Sequence, residues 1–272
     1  MKIGLIAGKG QFPILFAKKA KAKGYEVFTI GFHDETNEDI VEYVKEIQWI
    51  YLGQVGKLIK YFKQKDVQQA VMVGSIDKIK SFKNIRPDLK AVLFISKNVR
   101  SHDNQLLTAF ADLLLKEGIK IKSSVFLLPE LLSPKGCWTK RKPSTTEQKD
   151  IYFAWKITKE VGRLDIGQCV VVSNGTIVAV EAIDGTDQTI IRGGRIANKD
   201  GAIAVKTCKP FQDKRFDLPS AGVKTIEIMK QAGVDILVLE AEKSITFDKE
   251  EMIKLADKYD ICIVAYTDND IK

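Results

Sequence analysis

Histidine and cysteine are scarce in this chain. Two histidines, His33 and His102, and four cysteines, Cys137, Cys169, Cys208 and Cys262, are scattered over 272 residues with no C-x-x-C pair among them. That scatter argues against a zinc cluster and against a disulfide framework, so any metal is expected to be a hard cation held by oxygen. No apolar run approaches the roughly 18 to 20 residues that span a bilayer, and Met1 leads directly into an apolar strand signal instead of a cleavable leader. The expected location is the cytoplasm. An arginine-rich helix, an aromatic ribonucleoprotein motif and finger spacing are also missing, so no nucleic-acid partner is expected. The net charge of +8, from 43 basic against 35 acidic residues, favours an anionic partner without naming it, and phosphorylated metabolites or anionic membrane surfaces fit it equally well.

Apolar sequence is plentiful. At 45% hydrophobic the chain can furnish two domains with separate cores, expected over residues 1–132 and 149–272 with a linker over 133–148. Lys2 to Ala7 reads as a short strand, Gly8, Gly10 and Pro13 punctuate, and Ile14 to Lys23 reads as an amphipathic helix before the strand Val27 to Gly31. This βαβ opening is of the doubly wound, parallel-sheet kind. Gly8 and Gly10 are candidates to line a phosphate or nucleotide subsite with backbone donors, or simply to form a tight turn. The turn lacks the third glycine of the dinucleotide fingerprint, and Phe32 and His33 stand where a ribose-binding acid is expected, which weighs against a nicotinamide enzyme.

Further strands are expected at Ile47 to Leu52, Ala70 to Gly74 and Ile119 to Ile121. Helices are expected over Lys57 to Lys65, from Arg86-Pro87-Asp88-Leu89, and over Gln105 to Lys116, the last capped by Asp103 or Asn104 rather than flanked by a His102–Asp103 catalytic pair. Residues 133–148 read as an exposed connector, whose Lys135, Lys140, Arg141, Lys142 and Trp138 could alternatively touch lipid headgroups or substrate. In the second half Cys169 to Val172 reads as a buried strand, Asn174-Gly175 marks a hairpin, Thr186 or Asp187 can cap a short helix over Gln188 to Arg192, and a helix from Ser220 to Ala232, the strand Ile236 to Glu240, a helix near Lys249 to Lys258 and the strand Ile261 to Ala265 restore a β-α-β-α-β pattern.

Charged residues collect in loops at strand ends. The densest is Lys209 to Gly222, K-P-F-Q-D-K-R-F-D-L-P-S-A-G, in which Pro210, Pro219 and Gly222 interrupt regular structure while Lys209, Asp213, Lys214, Arg215 and Asp217 must face water, each other or a ligand. Carboxylates that hold a divalent cation beside cations that hold phosphate oxygens are the parts phosphoryl chemistry needs, and a solvated charged loop is the plainer alternative.

The stretches G-L-I-A-G-K-G-Q-F-P at Gly4 to Pro13, R-P-D-L at Arg86 to Leu89, L-D-I-G-Q at Leu164 to Gln168, V-E-A-I-D-G-T-D at Val180 to Asp187, and Lys209 to Gly222 occur in an order and spacing that resembles the UDP-2,3-diacylglucosamine pyrophosphatase family of lipid A biosynthesis, of the type unrelated to calcineurin. The resemblance implies a Rossmann-like N-terminal domain joined to a distinct α/β C-terminal domain, with lipid held between them. It also implies hydrolysis of UDP-2,3-diacylglucosamine to UMP and 2,3-diacylglucosamine 1-phosphate (lipid X), Mg2+ or Mn2+ as cofactor, a homodimer, and transient contact with the inner membrane of a Gram-negative cell.

The family's essential acid carries over onto Asp217, as metal ligand or as the base that orients water. Asp213 and Asp187 are further metal candidates. Lys209 and Arg215 are candidate phosphate contacts, with Gly8, Gly10, Gln168 and Thr186 as the remaining substrate-binding candidates. Ala221, and Ala241-Glu242 after Glu240, depart from the family pattern and bear on local loop shape and on Glu240. Val125 to Leu132, Trp138 and Trp155 are candidates for an acyl cleft or for ordinary core. A non-catalytic nucleotide-binding module is the competing reading.

Overall fold

A computed structural model describes residues 1–76, 85–97, 103–198, 201–210, 212–213, 215–216 and 218–271. It divides into two compact units, Met1–Pro129 with Asp213–Asp217, and Glu130–Gln212 with Leu218–Lys272.

The first unit is built on a five-stranded parallel sheet in the order β3-β2-β1-β4-β5, formed by β1 (Lys2–Ala7), β2 (Glu26–Phe32), β3 (Glu46–Ile50), β4 (Gln69–Val73) and β5 (Lys120–Lys122). Helix α1 (Phe12–Ala22) follows β1 and buries Phe12, Phe16, Ala17 and Ala20. Helix α2 (Val55–Gln64) and the helix Asp103–Lys116 contribute Leu58, Ile59, Phe62, Ala111 and Leu114 to a core with Ile6, Phe28 and Ile30 of the sheet. The inner strands β1 and β2 are buried almost without interruption, as a parallel sheet covered by helices requires, while the edge strands β3 and β5 are partly exposed.

Between these helices lies α3 (Leu89–Lys97); the helix Asp103–Lys116 is α4. Pro87 was expected inside the first turn of α3, but the helix begins two residues later because Asp88 is its cap. One Asp88 oxygen accepts the Ala91 N–H at 2.9 Å and the other accepts the Gly56 N–H of α2 at 2.6 Å, so a single carboxylate closes the positive ends of two helices. His102 of the His102–Asp103 pair lies outside the described residues.

The second unit has a six-stranded mixed sheet, β6 (Gly136–Cys137), β13 (Cys262–Tyr266), β11 (Val234–Glu240), β9 (Ala202–Lys206), β7 (Cys169–Ser173) and β8 (Thr176–Val180), in that order. Strands β9, β11 and β13 run parallel; β6, β7 and β8 pair antiparallel with their neighbours. Short β10 (Ser220–Ala221) and β12 (Ile245–Thr246) form a separate parallel pair.

Both sheet faces are covered. Ile203, Val205, Ile236, Val238 and Val264 meet Ile151, Ala154 and Trp155 of α5 (Thr145–Arg163). Their alternates, Ala202, Ala204, Leu237, Leu239 and Ile263, meet α6 (Gly185–Ala197), α7 (Val223–Ala232) and α8 (Lys249–Lys258).

Residues 133–148 contain more structure than a connector. Gly136 and Cys137 pair with Ala265 and Val264, Trp138 packs on the core with its indole N–H donating to the Pro134 carbonyl, and Ser144 and Glu147 form a reciprocal cap that starts α5. Arg141 is paired to Glu147 and Lys135 to Asp270. Trp155 is also core, its indole donating to Asp268 at 2.9 Å, and Leu127 and Leu128 are buried. Among the described residues no helix is long and apolar enough to cross a membrane.

Candidate active site

Because β9, β11 and β13 are parallel, their carboxyl ends share one edge of the second sheet, and each apolar strand run there finishes on or beside a polar residue: Lys206, Glu240, and Thr267 with Asp268. The antiparallel β7 brings its first residues to the same edge, with Cys169 opposite Lys206. Crevices at such edges are where α/β sheets hold polar ligands.

Glu240 is only 1% exposed, so its charge must be compensated. One oxygen accepts from Lys159 Nζ at 2.6 Å and the Cys208 N–H at 2.9 Å; the other accepts from Lys243 Nζ at 2.7 Å. The same two lysines approach Asp268 at 3.3 and 3.6 Å, completing a ring of two acids and two bases. Burial works to raise the Asp268 carboxyl, but the Trp155 and Lys159 hydrogen bonds with the lysine charges outweigh it and hold it below the usual range. The Glu240 hydrogen bond leads in raising Lys243.

Next to this ring the chain turns sharply. Lys209 pairs with Asp165 at 2.5 Å, and Gln212 Oε1 accepts the Lys209 N–H at 3.0 Å. Gln168 and Thr186, far apart in sequence, are drawn together by Glu181: its carboxylate accepts the Gln168 N–H at 3.3 Å and the Thr186 hydroxyl at 3.0 Å. The D-I-G-Q glycine makes this approach possible, since a Cβ on Gly167 would stand 2.1 Å from the Glu181 carbonyl oxygen. Gln168 Oε1 and the Thr207 hydroxyl are buried there without a hydrogen-bond partner. Lys206, 7% exposed, donates to the Ser220 carbonyl at 2.8 Å, and no carboxylate among the described residues pairs with it. Burial, with Glu181 adding and Lys206 opposing, pushes the Cys169 thiol up to about 12, so it is no nucleophile near neutral pH.

The remaining candidates have partners of their own. In the first unit Arg215 grips both oxygens of Asp213, at 3.0 and 2.9 Å through Nε and 2.6 Å through a terminal nitrogen, and the Thr108 hydroxyl reaches the same carboxylate at 3.5 Å. Burial opposes ionisation of Asp213, but the Arg215 hydrogen bonds and charge leave its carboxyl below the ordinary range. Asp187 is held at 2.9 Å by Lys224 in the second unit. Gly8 is committed to strand closure: its N–H donates to the Val73 carbonyl at 2.8 Å and a Cβ would lie 2.5 Å from the Ser75 oxygen. Gly10 has a left-handed φ of 97° and open space around its Cα. Asp217 and Lys214 lie outside the described residues, and among those described no group of three or more His, Cys, Asp or Glu side chains is arranged to hold a metal.

Sequence reasoning missed Lys159 and Lys206 and left Glu240 in doubt. The available signal for two of them is a charged residue closing a continuous apolar strand, A-I-A-V-K and I-L-V-L-E. Lys159, one polar residue among many on its helix, carries none.

Two family models match the chain, one described as the LpxI N-terminal domain over residues 2–131 and one as the LpxI C-terminal domain over residues 134–264. A UDP-2,3-diacylglucosamine pyrophosphatase LpxI of Caulobacter vibrioides is 32% identical over 267 residues, covering 94% of each chain. A biotin carboxylase domain of a single-chain bacterial carboxylase superposes with TM-score 0.31 at 10% identity, over 65% of this chain and 37% of that one. The N5-carboxyaminoimidazole synthetase of Staphylococcus aureus gives 0.25 at 15%, over 72% and 44%. This chain thus spans less than half of those solved chains, and likenesses so partial carry no argument.

Proposed function

The chain belongs to the LpxI family, and on that footing we propose that it hydrolyses the pyrophosphate of UDP-2,3-diacylglucosamine to UMP and 2,3-diacylglucosamine 1-phosphate. The observation that carries this reading is the 94% mutual coverage of a relative named for that activity. In the reaction a water oxygen bonds to the uridylyl phosphorus, the bond from that phosphorus to the bridging oxygen breaks, and the sugar phosphate leaves with the bridging oxygen. Charge on both phosphates must be neutralised while this happens.

The edge of the second sheet supports the reading through Lys206. A buried ammonium that meets one carbonyl among the described residues can offer further N–H donors, and an anionic oxygen is the group that compensates its charge. In this reading Lys206 and Lys209 meet phosphate oxygens, with Lys209 exchanging Asp165 for substrate, and Gln168 and Thr207 offer the polar atoms that lack partners. Asp217 is the acid that orients water or holds the divalent cation; Asp213 and Asp187, each paired to a cation of its own, do not complete a metal site. A bound magnesium or manganese ion would supply charge neutralisation at the phosphates. The reading also includes a homodimer and visits to the cytoplasmic membrane surface, where a diacylated substrate resides.

The test is incubation with UDP-2,3-diacylglucosamine in water enriched in heavy oxygen, with and without chelator, and mass spectrometry of the products. Labelled UMP that disappears with chelator is expected. Asp217→Ala should abolish turnover while substrate still binds, and Lys206→Met should lower kcat/KM about 10- to 100-fold, the worth of one charge-assisted contact. Absence of UMP from folded protein would favour the nucleotide-binding module.

A further inference from the structure

Two of the four cysteines meet at one end of the second sheet. Strand β6 pairs antiparallel with β13, placing Cys137 opposite Val264. Cys262 lies two residues earlier on β13, so its side chain leaves the sheet on the same face as those of Val264 and Cys137. The two sulfurs stand 3.9 Å apart, although 125 positions separate them in sequence. Hydrogen bonds hold the meeting in place. The Trp138 N–H donates to the Ile263 carbonyl at 2.9 Å, and the Ile263 N–H donates to the Thr139 hydroxyl oxygen at 2.9 Å.

The pair is asymmetric. Cys137 is exposed and Cys262 buried, so an oxidant arriving from solvent reaches Cys137 first. Burial, with Cys137 adding to it, pushes the Cys262 thiol up to about 12 while Arg141 pulls the other way. Alone such a thiol is inert, but one held against its reaction partner acts at a high effective concentration. Closing the gap to a disulfide bond of roughly 2.05 Å asks the sulfurs to approach by about 2 Å. Cys137 can supply that movement, because it ends a two-residue strand that is the last in the sheet order.

We infer that Cys137 and Cys262 form a redox-responsive dithiol, which a peroxide oxidises to a disulfide that clamps β6 onto β13. The Cys137 sulfur attacks a peroxide oxygen, the O–O bond breaks, and Cys137 becomes a sulfenic acid as water leaves. The Cys262 sulfur then attacks the Cys137 sulfur and the S–O bond breaks. The departing hydroxide takes the Cys262 proton and leaves as a second water. The two thiols lose the two electrons that the peroxide gains, and a dithiol reductant reverses the change. In reducing compartments disulfides of this kind are transient and redox-sensing. The bond closes a loop of 125 residues and so restricts the unfolded chain.

The test treats the reduced, folded full chain with hydrogen peroxide, denatures it in excess alkylating reagent and maps its peptides by mass spectrometry. A Cys137 peptide joined to a Cys262 peptide is expected, two hydrogen masses lighter than the separate pair, with Cys169 and Cys208 alkylated. Dithiothreitol before alkylation should return all four cysteines to the alkylated form. The oxidised protein should melt at least about 5 °C above the reduced one, and dithiothreitol should erase the gain. In Cys137→Ser, Cys262 should remain alkylated and the melting temperature should not respond to peroxide. If that variant fails to fold, the parent protein with and without dithiothreitol reads the same bond. Cys137 driven to sulfinic or sulfonic acid while Cys262 stays alkylated overturns the inference, as does Cys137 linked to a second molecule on a non-reducing gel. A linked peptide without a rise in melting temperature overturns the clamp. These readouts need no substrate, so they stand or fall apart from the hydrolase assignment.

Discussion

The carboxyl edges of the two sheets are closed by different means. In the first unit backbone meets backbone: Gly8 donates to Val73, Lys9 and Ser75 exchange hydrogen bonds at 2.7 and 3.1 Å, and the Thr36 hydroxyl donates to the Ala7 carbonyl. In the second unit the strands finish on charges, and Lys159, Glu240, Lys243 and Asp268 compensate each other while Lys206, among the described residues, meets one carbonyl. Parallel strands place chain ends on a common edge in both units, so topology alone does not set the chemistry of an edge. What differs is whether the strand ends satisfy their polar groups through backbone or through charged side chains.

The contrast can be broken first at Glu240. Glu240→Ala leaves Lys159 and Lys243 facing each other and should cost about 3–5 kcal/mol of unfolding free energy, the usual penalty for removing one partner of a buried pair; urea denaturation measures it. A loss under about 1 kcal/mol would mean the ring is solvated and the second edge no different in kind from the first.

Gly8→Ala probes the other edge. If Gly8 serves strand closure, its Cβ must push the Ser75 carbonyl aside, and stability should fall about 1–3 kcal/mol without any ligand present. A variant of unchanged stability with raised KM would instead make Gly8 a substrate glycine.

The smallest effect is expected at Asp213, whose ion pair with Arg215 lies in the first unit and is partly exposed. Its folded pKa lies below the ordinary value of about 3.9, so the stabilisation it gives is present above that value and is lost as pH falls through the depressed one. Asp213→Asn should therefore be less stable than the parent protein near neutral pH, by no more than about 1 kcal/mol. The gap should close as pH falls below about 4, and melting curves across that range read it directly.

Sequence reading located most strands because apolar runs bounded by glycine and polar turns are local signals; Cys169 to Val172 and Ile236 to Glu240 fall within β7 and β11. The helix Lys249 to Lys258 matches α8, where amphipathic spacing is clean. The two-residue strand β6 was invisible because Gly136 and Cys137 carry no strand pattern and are strand only through Val264 and Ala265. Helix α6 was read as Gln188 to Arg192, yet it runs Gly185–Ala197: Gly193 and Gly194, poor helix formers, are needed where Val171 and the Ala232 carbonyl crowd the helix. The charges of the loop Lys209 to Gly222 are expected to face water, each other or a ligand; among the described residues Asp213 and Arg215 face each other, and Lys209 meets Asp165 from 44 residues away.

By itself the sequence determined the α/β class, the two-part division and the family, because each rests on periodicity or on motif order along the chain. Only the tertiary structure decided that Glu181 gathers Gln168 and Thr186, that Asp88 closes two helices, and that Lys159 and Lys243 meet at Glu240. The reason is physical: burial and charge compensation are properties of neighbours in space, and residues 81 positions apart, as Lys159 and Glu240 are, acquire them only when the sheet and its covering helix fold together.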